Sequence, residues 1–140
     1  MRLVESVHVP AAQELVRPHV EDLARYNAWM PLVHSVEQVD ATTWNVELRA
    51  KVGPFARSKR LRMTKTVDEP TRIVFQRNEV DGKSHAPWLL SVTLQAHDAE
   101  TLVSVELEYH GTLWTGGLLD KVLRDHIAVA KELLPRVCSQ

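Results

Sequence analysis

A run of strand-like segments followed by one amphipathic helix is the feature that most constrains this chain. From residue 118 onward, Leu118, Leu119, Val122, Leu123, His126, Ile127, Ala130, Leu133, Leu134 and Val137 recur on one face at helical spacing. Asp120, Lys121, Arg124, Asp125, Lys131 and Glu132 fill the other face. Thr115 stands where a cap belongs, with Gly116 and Gly117 in the first turn. Upstream, residues 43–52 alternate, with Trp44, Val46, Leu48, Ala50 and Val52 on one face and Asn45, Glu47, Arg49 and Lys51 on the other. That is the pattern of a half-buried antiparallel strand. Further strands are predicted over residues 4–9, 33–39, 55–67, 72–80, 84–95 and 102–113. Gly53-Pro54 and Asp68-Glu69-Pro70 punctuate them, and Asp81-Gly82 is the strongest hairpin signal.

Between the first strand and the rest, residues 11–26 are helical, with Leu15, Val16, Val20, Leu23 and Ala24 as the apolar face. Pro18 disfavours helix at the residue before it and removes a donor, which predicts two short helices with a break near Arg17-Pro18. The segment from Asn27 to Pro31 is too short for another helix.

An antiparallel sheet with one apolar face must cover that face, and the last helix is the only large cover available. The expectation is an α+β fold: a curved antiparallel sheet of about six to seven strands gripping one long C-terminal helix, with two short helices after the first strand. A single helix does not fill the space under such a sheet, so a cavity is expected between them. With 140 residues, 44% hydrophobic and 25% charged, the chain is expected to form one domain over residues 1–140. A net charge of -1 provides no long-range field to gather nucleic acid, and no nucleic-acid partner is expected. Cys138 is the sole cysteine, which excludes an intramolecular disulfide and a cysteine-rich zinc site. The N-terminal segment breaks its apolar run with Glu5 and His8, unlike a signal peptide. No stretch has the apolar length of a membrane span. These features predict a cytoplasmic protein without stable membrane insertion; its oligomeric state stays open.

Strand pairing assigns faces. A tight turn at Asp81-Gly82 sets Arg77 opposite Ala86, Phe75 opposite Trp88 and Ile73 opposite Leu90. The more apolar, concave face then holds Ile73, Phe75, Arg77, Ala86, Trp88, Leu90, Val92 and Leu94. Leu61 and Met63 fall beside Val46 and Trp44, while Val103, Val105, Leu107 and Tyr109 point inward from the last strand. Arg77 stands out, because a guanidinium on an apolar face is costly unless paired. It either anchors a carboxylate or enolate oxygen of a ligand, or it reaches the mouth or pairs with Glu79 or Glu106. His126 is either a general acid/base or a core histidine with a satisfied ring. Tyr109 offers a hydroxyl to the same space or is simply packed. Arg57, Lys59 and Lys65 count as inward by alternation and are expected in solvent near strand ends. The basic run from Arg57 to Arg62 reads as a solvated strand at or near a sheet edge.

At this point the element order and several short phrases resemble the helix-grip superfamily, which contains START lipid-transfer domains, the birch pollen allergen group and polyketide cyclase/dehydrase-like bacterial proteins. The phrases are Val7-His8-Val9-Pro10-Ala11 with Glu14-Leu15-Val16, Trp29-Met30-Pro31, Asp81-Gly82, Tyr109-His110-Gly111 and Leu118-Leu119. The resemblance covers essentially the whole chain. It implies three functional readings. The first is binding of a lipid, polyketide or aromatic ligand in the cavity, with Trp29, Trp44, Met63, Phe75, Arg77, Trp88, Leu90, Leu107, Tyr109 and His126 as ligand-binding candidates. The second is a polyketide cyclase/dehydratase in which Arg77 stabilises an enolate and His126 or Tyr109 moves a proton. The third is an accessory or assembly factor of the kind linked to carbon monoxide dehydrogenase maturation, with which the Val52-Gly53-Pro54-Phe55 turn is compared.

The sequence holds neither a Gly-x-Ser-x-Gly elbow nor a His-Glu-x-x-His motif, and its histidines lack ligand spacing. No cofactor and no metal are expected. The remaining oddity is four tryptophans against two phenylalanines. Wide amphipathic rings suit a cavity wall and rim, so at least two of the four tryptophans are expected to border one pocket.

Overall fold

The structure, a computed structural model, describes residues 2–110 and 118–139. In chain order they form β1 (Arg2–Val9), α1 (Gln13–Val20), a 3₁₀ helix (Leu23–Ala28), β2 (Val33–Asp40), β3 (Thr43–Val52), β4 (Phe55–Glu69), β5 (Arg72–Arg77), β6 (Trp88–His97), β7 (Glu100–Tyr109) and α2 (Leu118–Cys138). The strands make one 7-stranded sheet in the order β1-β7-β6-β5-β4-β3-β2. Every neighbouring pair is antiparallel. β1 and β2 are thus the two edges, and α1 with the 3₁₀ helix carries the chain from one to the other.

The alternation read from residues 43–52 decides which face is covered. Trp44, Val46, Leu48 and Ala50 are buried, as are Leu61, Met63, Ile73, Phe75, Val92, Leu94 and Val103 on the adjoining strands. α2 closes over this face with Val122, Leu123, Ala130, Leu134 and Cys138. Each Val, Leu, Ile, Phe or Met side chain so removed from water stabilises the fold by roughly 1.5–3 kcal/mol. α1 contributes Val16 and Val20, whereas Leu15 is 59% exposed and lies off the apolar face. Arg17 ties α1 to the β4–β5 turn, bonding the Glu69 carbonyl at 2.6 Å and the Asp68 carboxylate.

Three local expectations are corrected. First, α1 runs through Pro18, and the break falls at Glu21-Asp22. Asp22 supplies the reason: its extended backbone starts the 3₁₀ helix, and its carboxylate accepts the Ala24 N–H at 2.9 Å.

Second, Asp81-Gly82 is not a two-residue hairpin. β5 ends at Arg77 and β6 begins at Trp88, leaving residues 78–87 as a loop. This loop satisfies itself locally, with the Lys83 N–H on the Asp81 carboxylate at 3.0 Å and the Ala86 carbonyl accepting from Arg77 at 3.2 Å. Phe75 therefore faces Leu90 rather than Trp88, and Ile73 faces Val92. The offset is even, so every side chain keeps its face. Two-residue turns lie elsewhere in the sheet, among them residues 98–99 between the pair His97 and Glu100, with Asp98 at φ 57°.

The basic run from Arg57 to Arg62 lies at a sheet edge, as expected, because β4 has no β5 partner along its first half. From Met63 onward it pairs with β5, while the preceding residues pair with β3 alone.

Third, Lys65 is not in solvent. Its side chain is 11% exposed. The ammonium lies 5.6 Å from the Trp44 ring and 5.9 Å from the Phe75 ring. The register shift after Lys65 holds it opposite Phe75.

Among the described residues, no helix is long and apolar enough to cross a membrane. No group of three or more His, Cys, Asp or Glu among them could hold a metal ion. Trp114, the Thr115 cap and Gly116-Gly117 lie outside the described residues.

Candidate functional site

Sheet width explains why the core has a gap. Adjacent strands lie about 4.8 Å apart, so six spacings span about 29 Å. A helix with its side chains is only about 10–12 Å across. Part of the remaining width is taken by the 3₁₀ helix and the loop after it, and the rest is open. A cavity of ≈ 100 Å³ lies there. The sheet lines it with Val33, Val46, Leu48, Leu61, Met63, Trp88, Leu90, Val105 and Leu107. α2 adds Leu123, His126 and Ile127, and the segment before β2 adds Leu23, Tyr26, Met30 and Leu32. A smaller space of ≈ 40 Å³ lies beside it, bordered by Trp29, Val103, Ala130 and Leu134 among others. Met30, Val105, Leu107 and Ile127 border both and form the partition. An apolar void of this order stays dry and admits a small apolar molecule.

His126 is the one imidazole in the cavity wall, placed there by the helical phase that also delivers Leu123 and Ile127. It is half-buried. Burial holds its pKa below the usual histidine range, with Asp125 pulling weakly the other way. The ring is therefore neutral at pH 7, with one nitrogen to donate and one to accept. It makes no hydrogen bond among the described residues. Tyr26 differs: its hydroxyl donates to the Val20 carbonyl at 2.7 Å, so it offers the cavity its ring.

The other anticipated residues divide. Met63, Trp88, Leu90 and Leu107 line the cavity with His126. Trp29 borders the smaller space, and its indole donates to the His19 carbonyl at 3.0 Å. Phe75 and Trp44 are packed core, with ring centroids 5.6 Å apart, and the Trp44 indole donates to Asp22 at 3.1 Å. Tyr109 is the cross-strand partner of Trp88 on the same face and stacks on it at 4.9 Å, without itself lining the cavity. Arg77 lies outside the cavity. Its guanidinium bonds Glu79 at 3.3 Å, the Ala86 carbonyl at 3.2 Å and His85 at 3.2 Å, holding the 78–87 loop against the sheet. This is the pairing with Glu79 weighed from the sequence. Of the tryptophans, Trp88 borders the larger cavity and Trp29 the smaller space beside it.

Sequence reasoning misses Leu23, Tyr26 and Met30 as cavity residues. Their spacing of three and four does carry the signal, but Leu23 reads only as part of a helix face that covers the sheet, and the segment holding Met30 reads as too short for a helix.

A grip of seven strands on one helix, with an apolar cavity between, is an architecture with known relatives. The family described as polyketide cyclase / dehydrase and lipid transport matches residues 1–131. The chain belongs to this family. Solved structures of similar fold include a START superfamily protein from Mycobacterium smegmatis, with a TM-score of 0.72 at 17% identity, over 97% of this chain and 96% of that one. The Zhui aromatase/cyclase from Streptomyces sp. R1128 has a TM-score of 0.66 at 14% identity, over 99% and 93%. Ara h 8.0201 has a TM-score of 0.62 at 17% identity, over 100% and 99%. At these identities the likeness is one of fold. No curated protein matches the chain. The family and these neighbours establish the START-like helix-grip architecture, which is consistent with binding of a hydrophobic ligand or with cyclase chemistry.

Proposed function

We propose that this member of the polyketide cyclase/dehydrase and lipid transport family binds a small, largely apolar molecule between the sheet and α2. The observation that carries the reading is the ≈ 100 Å³ cavity with an apolar wall and one neutral imidazole in it. Sites for small ligands are mostly apolar with a few polar groups that set orientation. Desolvation by Trp88, Leu90, Leu61 and Leu107 supplies the affinity, and His126 supplies one hydrogen bond to a hydroxyl or carbonyl of the ligand. Native mass spectrometry of the purified chain tests this directly. A co-purifying small molecule, lost in a variant with the cavity filled, supports the reading. Absence of any bound molecule, together with no thermal shift across a panel of alkanols and monocyclic aromatics, rejects it.

A second reading is favoured by the same histidine. A neutral imidazole in a water-poor wall can take a proton from an activated carbon and return it elsewhere, as cyclisation or dehydration demands. The anticipated enolate-stabilising role of Arg77 has no support, because all its partners lie in the 78–87 loop region. Turnover of a poly-β-ketone substrate by the parent, lost in His126→Asn with binding retained, distinguishes an enzyme from a carrier.

A further inference from the structure

Along the concave face of β4, the apolar wall gives way to positive charge toward the β3–β4 turn. Leu48 and Leu61 both line the cavity. Lys59 stands directly opposite Leu48, and Arg57 opposite Ala50, one rung further toward the β3–β4 turn. All five therefore share the concave face, and β4 presents Met63, Leu61, Lys59 and Arg57 in order toward the β3–β4 turn.

Lys59 is half-buried, while Arg57 is exposed and lies 5.8 Å from the ring of Phe55. Among the described residues Lys59 makes neither an ion pair nor a hydrogen bond. Its cationic neighbour Arg77 is already held by Glu79. The carboxylate of Glu79 is in turn shared with the backbone N–H of Arg62 at 3.0 Å. From Arg49 to Arg62 the hairpin carries Arg49, Lys51, Arg57, Lys59, Arg60 and Arg62 and not one acidic residue. Burial, and then the charge of Arg77, lowers the pKa of Lys59 from the usual lysine value, with the Glu79 carboxylate acting the other way. An ammonium so placed gains from an added anion, which exposed and fully solvated lysines do not. A lysine also suits a rim, because its apolar stem lies along the wall while its head reaches the water.

We propose that the cavity ligand is an amphipathic acid, its apolar body against Leu48, Leu61 and Trp88 and its carboxylate on Lys59 at the rim. The inference rests on the reading of the cavity as a ligand site and names the class of ligand. It also separates two polar roles. His126 inside the cavity meets a neutral oxygen of the ligand body, and Lys59 meets the anionic head.

The test is titration of the purified chain with octanoate, octan-1-ol and octylamine, followed by intrinsic tryptophan fluorescence and by calorimetry. A charge-assisted contact at a half-buried site corresponds to about tenfold in Kd. Octanoate is expected to bind about tenfold more tightly than octan-1-ol, and octylamine more weakly than either. In Lys59→Gln the acid and the alcohol become equal, in Lys59→Arg the preference is kept, and in His126→Asn it is also kept. Equal binding of acid and alcohol by the parent overturns the inference and leaves the cavity reading standing. So does a preference that survives Lys59→Gln. If none of the three binds, the cavity reading fails and the inference falls with it.

Discussion

Filling the cavity is the most informative perturbation, because it moves stability and binding in opposite directions. Leu107 is the residue to change. It borders both the larger and the smaller space, and it sits on β7 between Leu3 of β1 and Leu90 of β6. Empty volume costs about 24 cal/mol per Å³. A void of ≈ 100 Å³ thus leaves at most about 2.4 kcal/mol to be gained by complete filling. Leu107→Phe fills part of it and meets some resistance from the wall, so the expected gain is about 1 kcal/mol. In a domain of this size that raises Tm by about 4 °C. Urea denaturation at fixed m-value measures the gain, and titration with octan-1-ol measures the loss of affinity, expected to be at least about tenfold. The reasoning fails if Leu107→Phe destabilises the fold by about 1–3 kcal/mol, as overpacking a filled core does, and leaves octan-1-ol binding unchanged.

Three further outcomes are expected. Burial lowers the pKa of His126, and burial with Arg25 lowers that of His19, so the folded state resists protonation of both. The unfolded chain takes up those protons first, and stability falls as pH drops below about 6.5; thermal melts from pH 7.5 to 5 show the decline, which is shallower in His126→Leu. Cys138 is buried, and burial pushes its thiol up to about 11; a thiol-specific chromogenic reagent at pH 8 is expected to react at full rate only after unfolding. Asp22 accepts from both the Ala24 N–H and the Trp44 indole; Asp22→Ala removes a cap and leaves a buried indole donor unpaired, costing about 2–3 kcal/mol by denaturant titration, while Asp22→Asn retains most of that.

Periodicity makes the sheet and its grip on α2 legible, because both depend on which residues repeat at two and at 3.6. The concave face survives an error in register, since the loop at residues 78–87 displaces β6 by an even number of residues. His126 is legible for the same reason: helical phase alone puts it beside Leu123 and Ile127. Arg77 shows the limit. Alternation places it on the concave face, but only the loop geometry shows that Glu79, His85 and the Ala86 carbonyl reach it first. Lys65 shows another. A register shift sets its ammonium against Trp44 and Phe75, and no count along the strand foretells a bulge. Trp44 and Phe75 resemble wall residues because they are large and inward, yet the helical segment near Tyr26 packs directly on Phe75, at 6.1 Å between rings.

The sheet order has a consequence for how the chain is made. β1 pairs only with β7, so Ser6 meets Ser104 across 98 positions and Arg2 meets Glu106 across 104. During synthesis at about 5–20 residues per second, the first strand waits about 5–20 s for its only partner. α2 arrives later still, and until it does the concave face of the growing sheet is open to water. Non-local pairing of this kind slows folding, because loop closure precedes any reward in contacts. The interval before α2 docks is therefore when this protein is most exposed to aggregation and to chaperones.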